Sequence, residues 1–345
     1  METLLIILIA LLTIVAIAQI VRVFELSSDL RSKDGGDDPQ ARFTDKDNRN
    51  QGILLLVFLV FMLGSFVWMS IEYGSTLLPK AASAHGADID QLMWISMAVI
   101  IAAFFLTQPL LFLFGYLYRG SKQRKASYLE HNNKLELFWT LVPVVVLAGL
   151  ILYGLSTWST TMNPVNEEEP MVVELYSYQF NWKARYSGGD NTLGYANVRM
   201  IEGANSLGID GEDKNSADDI VTSELHLPVN KPVLFKFRSQ DVIHSAYMPH
   251  FRVQMNSVPG TETRFQFTPT VTTKEMRQDE DVVEKVTNIN EIRAASGKDD
   301  WQFDYVLLCN KICGSAHYNM QMKIVVETEE EFQQWLDEQK TFAEL

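Results

Sequence analysis

Cysteine is nearly absent from these 345 residues. There are two, Cys309 and Cys313, and they stand four apart. A single pair excludes a disulfide-stapled scaffold, whose bridges must be several and spread along the chain. No GxGxxG, Walker or GxSxG pattern occurs anywhere, which removes the common phosphate-cradling loops and the nucleophile elbow. Basic residues are few: 29 Lys and Arg face 43 Asp and Glu, for a net charge of −14. That balance disfavours nucleic acid and anionic lipid as partners.

Charge is missing altogether from four long apolar stretches: Thr3 to Val21, Gly52 to Ile71, Leu92 to Tyr118 and Leu137 to Asn166. Each is about as long as the roughly 20 apolar residues a helix needs to cross the hydrocarbon core. No Lys or Arg precedes the first, and no small-residue cleavage pattern follows it. A retained membrane helix is therefore expected there rather than a cleaved leader. Residues 22 to 50 carry six basic side chains and residues 119 to 136 carry five, whereas the loop between the second and third stretches has only Lys80. The positive-inside rule then places the first and third loops in the cytoplasm, and everything after about residue 160 outside.

Residues 159 to 345 hold 30 acidic and 17 basic residues, a net of −13, while the first 158 hold 13 and 12. An acidic exported surface steers basic partners toward it. The segment reads as strands: "MVVELYSYQFNWKARY", "SELHLPV", "KPVLFKFRS", "TRFQFTPT", "WQFDYVLLC" and "MKIVVE". Short strands, no internal repeat and no long internal helix predict an antiparallel sandwich or barrel. Two polar stretches, "SGGDNTLGYANVRMIEGANSLGIDGEDKNSADD" and "KEMRQDEDVVEKVTNINEIRAASGKDD", read as excursions from the sheet. The last, "TEEEFQQWLDEQK", predicts a short surface helix with a capping threonine and acids in its first turn.

The two cysteines belong to "CNKICGSAHYNM", residues 309 to 320, together with His317 and Met320. A cysteine pair alone in an oxidising compartment reads as a disulfide or a structural zinc site. Zinc does not use methionine, and thiolate, thioether and imidazole together are the ligands copper selects. Two cysteines in one loop can share their sulfurs between two ions, so a second histidine is needed from elsewhere. His244, read as lying on a turn after "VLFKFRS", is the best candidate. His226, inside "ELHLPV", reads as a packed or surface residue, and His250, after Pro249, as exposed.

On these residues the chain resembles subunit II of the haem–copper cytochrome c oxidases, from about residue 92 to the end. The loop matches the copper A motif C-x-E-x-C-x3-H-x2-M at every ligand side chain, and "DVIHSAYMPHF" with "VPG" matches the region of the first histidine. The resemblance implies a transmembrane helical hairpin over 92–160 and an exported all-β, cupredoxin-like Greek-key barrel over 161–345. Residues 1–72 are then two additional membrane helices, making about four in all. It further implies dinuclear copper on His244, Cys309, Cys313, His317 and Met320, with the backbone carbonyl of Lys311 completing the set. Quinol-oxidase relatives share the fold without the thiols.

In that family the subunit accepts electrons from cytochrome c and passes them to haem held by subunit I, which reduces oxygen and pumps protons. Extra helices imply contacts with other oxidase subunits, and the donor is a soluble cytochrome c or a bound cytochrome module. Glu136, at the cytoplasmic mouth of the fourth apolar stretch, reads by composition as an interfacial carboxylate beside Trp139. The resemblance makes it the entrance of a proton path. "QFNWKA" resembles the family's aromatic Q-W-x-W, with Phe180 where the first tryptophan accepts electrons, and Trp182 keeping the second place. By residue type alone, both read as barrel packing.

Two departures concern a magnesium or manganese ion that the family holds at the subunit I interface. Lys311 stands where the family has a ligating glutamate, and Asn256 where it has a nearby aspartate. Magnesium wants oxygen ligands and an ammonium repels it. Either the Lys311 ammonium takes the cation's place, paired with acids on subunit I, or Lys311 turns to solvent and subunit I alone holds the metal. The alternative function is a membrane-anchored copper-binding or assembly protein, which would exchange its metal readily and need no proton-path glutamate.

Overall fold

The computed structural model describes residues 45–121, 123–164 and 168–344, with scattered positions between 8 and 26. Part of the first apolar run and most of the 22 to 50 loop lie outside the described residues. Within them, three helices are long and apolar enough to cross a membrane. They are α1 (Asp45–Tyr73), α2 (Gly86–Leu117) and α3 (Asn133–Met162). Each starts earlier than its apolar stretch because polar residues build the first turns. In α3 the Asn132 side chain caps the helix by accepting from the Leu135 amide at 3.1 Å. Where the start of α1 meets the end of α2, Gly52 lets the Tyr116 ring approach closely, and Asn48 Nδ2 donates to the Gly120 carbonyl at 3.0 Å.

The rest of the chain is a β-domain of two five-stranded sheets. The strands are β1 (Met171–Tyr178), β2 (Asn181–Tyr186), β3 (Ile220–Thr222), β4 (Leu225–Pro228), β5 (Val233–Ser239), β6 (His244–Met248), β7 (Val253–Ser257), β8 (Thr263–Phe267), β9 (Tyr305–Cys309) and β10 (Gln321–Glu327). One sheet has the order β3-β2-β1-β5-β8, the other β4-β10-β9-β6-β7. The expected single run "MVVELYSYQFNWKARY" is a hairpin, with Tyr178 paired to Asn181. The domain is not wholly antiparallel, because β1 pairs parallel with β5 and β10 with β4. These crossovers are what a Greek-key arrangement of two sheets requires. Alternate side chains of β5 (Val233, Phe235, Phe237) meet Leu175, Trp182, Leu307 and Ile324 in one core, all fully buried.

The expectation of no long internal helix fails. Beside the short α4 (Thr273–Met276) lies α5, sixteen residues from Glu280 to Ala295. Val282, Val286 and Ile289 recur on one face at helical spacing, and Asp279 caps the start. The polar composition of the stretch hid that stripe. The C-terminal helix α6 (Glu329–Asp337) forms as expected, with a capping box of Thr328 and Glu331. The other excursion, 187–219, contributes Leu207 and Ile209, which bury Tyr176. It is fastened by the buried Arg185, which donates to Asp219, Glu174 and the Gly194 carbonyl.

Candidate metal centre

Three connections meet at one end of the β-domain: the β1–β2 turn at Gln179 and Phe180, the β5–β6 loop, and the β9–β10 loop that holds the cysteines. His244 is the first residue of β6, not a turn residue. Its Cα pairs with Ser257 on β7, so the sheet ladder fixes the imidazole from below. It is fully buried. Cys309 closes β9, and Met320 precedes β10, so both ends of the loop are held in the same ladder.

The five expected side chains and one carbonyl converge. Cys309 Sγ lies 3.8 Å from His244 Nδ1 and 3.2 Å from the Lys311 carbonyl oxygen. Cys313 Sγ lies 3.9 Å from Cys309 Sγ, 3.7 Å from His317 Nδ1 and 3.8 Å from Met320 Sδ. The sulfurs are unbonded thiols in this geometry, since a disulfide needs about 2.05 Å. Cys313 and Met320 are buried, whereas Cys309 is partly exposed. Burial first, and then the neighbouring Cys309 thiol, push the Cys313 thiol up to about 11. A pair of adjacent thiolates thus needs cations between them. Two sulfurs, two imidazole nitrogens, a thioether and a carbonyl are a donor set that fits soft, nitrogen-loving copper.

Groups that the sequence reading did not single out orient these ligands. Asp241 Oδ1 accepts from His244 Nε2 at 2.8 Å, which leaves Nδ1 as the lone pair turned toward Cys309. Burial works to raise the Asp241 carboxyl. Hydrogen bonds from His244 and from the Gln179 and Val242 amides outweigh it and hold the group below its ordinary range. The Gln179 amide donates to Asp241, and its side-chain Nε2 donates to the Cys313 carbonyl. One residue thereby ties Asp241 to the cysteine loop. Gly314 has φ +146°, and a Cβ there would meet the Phe180 ring at 2.7 Å. Only glycine lets Phe180 lie against the loop.

The remaining expected residues divide. Trp182 is fully buried, and its ring stands edge-on to His244 with centroids 6.1 Å apart. Phe180 is half-buried against the loop. His226 is packed, as expected: its ring stacks on Trp335 at 3.9 Å and bonds Glu327 at 2.8 Å. The expectation that His250 is exposed fails. Its ring is half-buried, edge-on to Phe303 and Tyr305, because the turn after Pro249 folds inward. Lys311 and Asn256 are exposed, and Lys311 has no ion-pair partner among the described residues. Glu136 stands exposed in the first turn of α3, where it accepts weakly from the Asn132 amide at 3.4 Å. It is a helix away from the cysteine loop.

A membrane-anchored two-sheet β-domain with thiol, imidazole and thioether groups gathered at one end defines a class: an anchored β-domain whose side chains suit a soft metal such as copper. Residues 67–157 match the family model described as cytochrome c oxidase subunit II, transmembrane domain. The chain is 34% identical over 256 residues to an alternative cytochrome c oxidase subunit 2 of Bradyrhizobium diazoefficiens, covering 73% of this chain and 80% of that one. It is 24% identical over 311 residues to cytochrome c oxidase subunit 2 of Thermostichus vulcanus, covering 83% and 84%. The periplasmic domain of subunit II of cytochrome oxidase from Bradyrhizobium japonicum aligns with 50% of this chain and 95% of its own, at 20% identity. Its TM-score of 0.30 is too low for that superposition to add weight. The chain belongs to the cytochrome c oxidase subunit II family. It is accordingly one subunit of an oxidoreductase and a membrane protein.

Proposed function

We propose that this chain is the electron-accepting subunit of a respiratory terminal oxidase. It takes electrons from a cytochrome c at a dinuclear copper centre and hands them to haem in subunit I, where oxygen reduction drives proton pumping. The observation that carries this is the pair of unbonded thiols 3.9 Å apart, each with its own imidazole nitrogen, at 3.8 and 3.7 Å. When bound, a dinuclear copper centre would supply a one-electron carrier that reorganises little on transfer.

The chain's own residues supply the rest. Cys309, Cys313, His244, His317, Met320 and the Lys311 carbonyl would hold the ions. Asp241 fixes the His244 tautomer, and Trp182 keeps water from its ring. Phe180, against Gly314, lies where a donor's electron would arrive. The fully buried His244 and nearly buried Met320 suit a metal that stays, not one a delivery protein must exchange. Membrane placement follows from the basic loops: a multi-pass chain in a bacterial-type plasma membrane, with its β-domain on the outer side. Lys311, exposed and unpaired, would take the place of a divalent cation against acids of subunit I.

The test is metal content. The purified chain in detergent, loaded with copper, is expected to hold two ions per molecule. Cys313→Ser should leave one at most, because a single thiolate cannot bridge in the same way. Two ions retained in that variant would contradict the assignment.

A further inference from the structure

Arg252 adopts a backbone conformation that arginine seldom does. Its φ is +54°, in the left-handed region where a side chain is costly and glycine is not. Its side chain is nevertheless buried, with 7% exposed. Every branch of the guanidinium is used. Nε and Nη2 grip both oxygens of Asp90, at 2.7 and 2.9 Å. Nη2 also donates to the Pro79 carbonyl, and Nη1 to the Pro249 carbonyl, both at 2.6 Å. A planar fork on a carboxylate is strong and directional, and lysine cannot reproduce it.

The partners come from three places. Asp90 is in the second turn of the membrane helix α2, Pro79 lies in the connector that enters it, and Pro249 begins the turn that leaves β6. The connector is itself stitched into the β-domain. The Ala82 amide donates to the His250 carbonyl at 2.7 Å, and the Ala84 amide to the Thr268 carbonyl at 3.0 Å. The Ser83 hydroxyl reaches the Phe251 carbonyl at 2.7 Å. β6 is only five residues long, with His244 at one end and Met248, next to this clamp, at the other. Such a strand spans about 15 Å and does not stretch.

We infer that Arg252 is a positioning residue for electron transfer out of the metal centre. By locking the foot of β6 to α2, it sets the height of the His244 end above the membrane helices. That height fixes the gap to a membrane-embedded acceptor. The inference rests on the electron-transfer function proposed above. Electron tunnelling falls exponentially with the gap between donor and acceptor, so a looser clamp that lets the gap widen slows transfer. A clamp that only stabilised the fold would not be read out in a transfer rate.

The test uses the intact oxidase carrying Arg252→Lys, Asp90→Asn or both. Three readings are taken: the copper spin-resonance spectrum, hydrogen exchange at the Ala82 and Ala84 amides, and the rate from photoreduced copper to haem. The expected result is an unchanged spectrum, faster exchange at both amides, and transfer slowed several-fold. The double variant should be no slower than either single one, because both changes open the same clamp. Should Arg252→Lys fail to retain copper, Asp90→Asn decides alone, since its side chain lies outside the β-domain. Wild-type transfer rates in copper-loaded Asp90→Asn with faster amide exchange would overturn the inference. No copper-to-haem transfer in the unmodified oxidase would overturn the proposed function and this inference with it.

Discussion

His250 carries a consequence that its neighbours make calculable. Burial first, with Lys285 and Arg252 adding to it, pushes its imidazole down to about 4. An unfolded histidine takes up its proton near 6.5. Between those values the unfolded chain is protonated and the fold is not, so stability falls as pH drops from about 6.5 to about 4. The loss amounts to up to about 3 kcal/mol, and above 6.5 this residue contributes no slope. His85, also held down chiefly by burial, adds a slope of the same sign. Thermal unfolding followed across that window should flatten in His250→Leu. An unchanged slope would show that the ring is solvated. Single residues were unequally legible in the sequence. Cys309, Cys313, His317 and Met320 sit in one loop, where ligand type and spacing speak directly. Asp241 was readable only as an acid three before a histidine, and Gln179 reaches Cys313 across 134 positions. Contacts of that range are made by the fold and leave no local pattern.

Among elements, the membrane helices were the most legible, because a span of uncharged residues has few other uses. Strand edges were less so. β1 and β2 share one apolar run, and nothing in its composition marks the turn at Gln179 and Phe180. α5 was missed since its stripe of Val282, Val286 and Ile289 is narrow within an acidic stretch. The parallel pairing of β1 with β5 depends on a long crossover, which no strand pattern reveals. α3 carries its own prediction. Its first four turns are exposed throughout, and Glu136 stands at their start. Glu136→Ala in the assembled oxidase is expected to slow reduction of the oxygen-binding centre while leaving the copper spectrum unchanged. Reduction at the wild-type rate would make Glu136 an ordinary helix-start carboxylate, favourable there only through the helix dipole.

Across the whole molecule, charge and metal site are kept apart. The net −13 of residues 159 to 345 is absent from the metal end, where Asp241 and Lys311 are the only charged residues of the two ligand-bearing loops. Ile312 and Tyr318, 90% and 88% exposed, flank the ligands instead. Acids on the flanks would attract a basic donor, and apolar contact would seat it. Oxidation of a soluble basic cytochrome should therefore weaken steeply as salt rises, since surface attraction is screened over about 10 Å at 0.1 M. A rate indifferent to salt would point to a donor held permanently in place. Spin resonance of the copper-loaded chain reads the proposed two-copper thiolate cage most directly. One unpaired electron shared equally by two copper nuclei is the predicted spectrum. A spectrum of one isolated copper, or a chain that accepts only zinc, would contradict it.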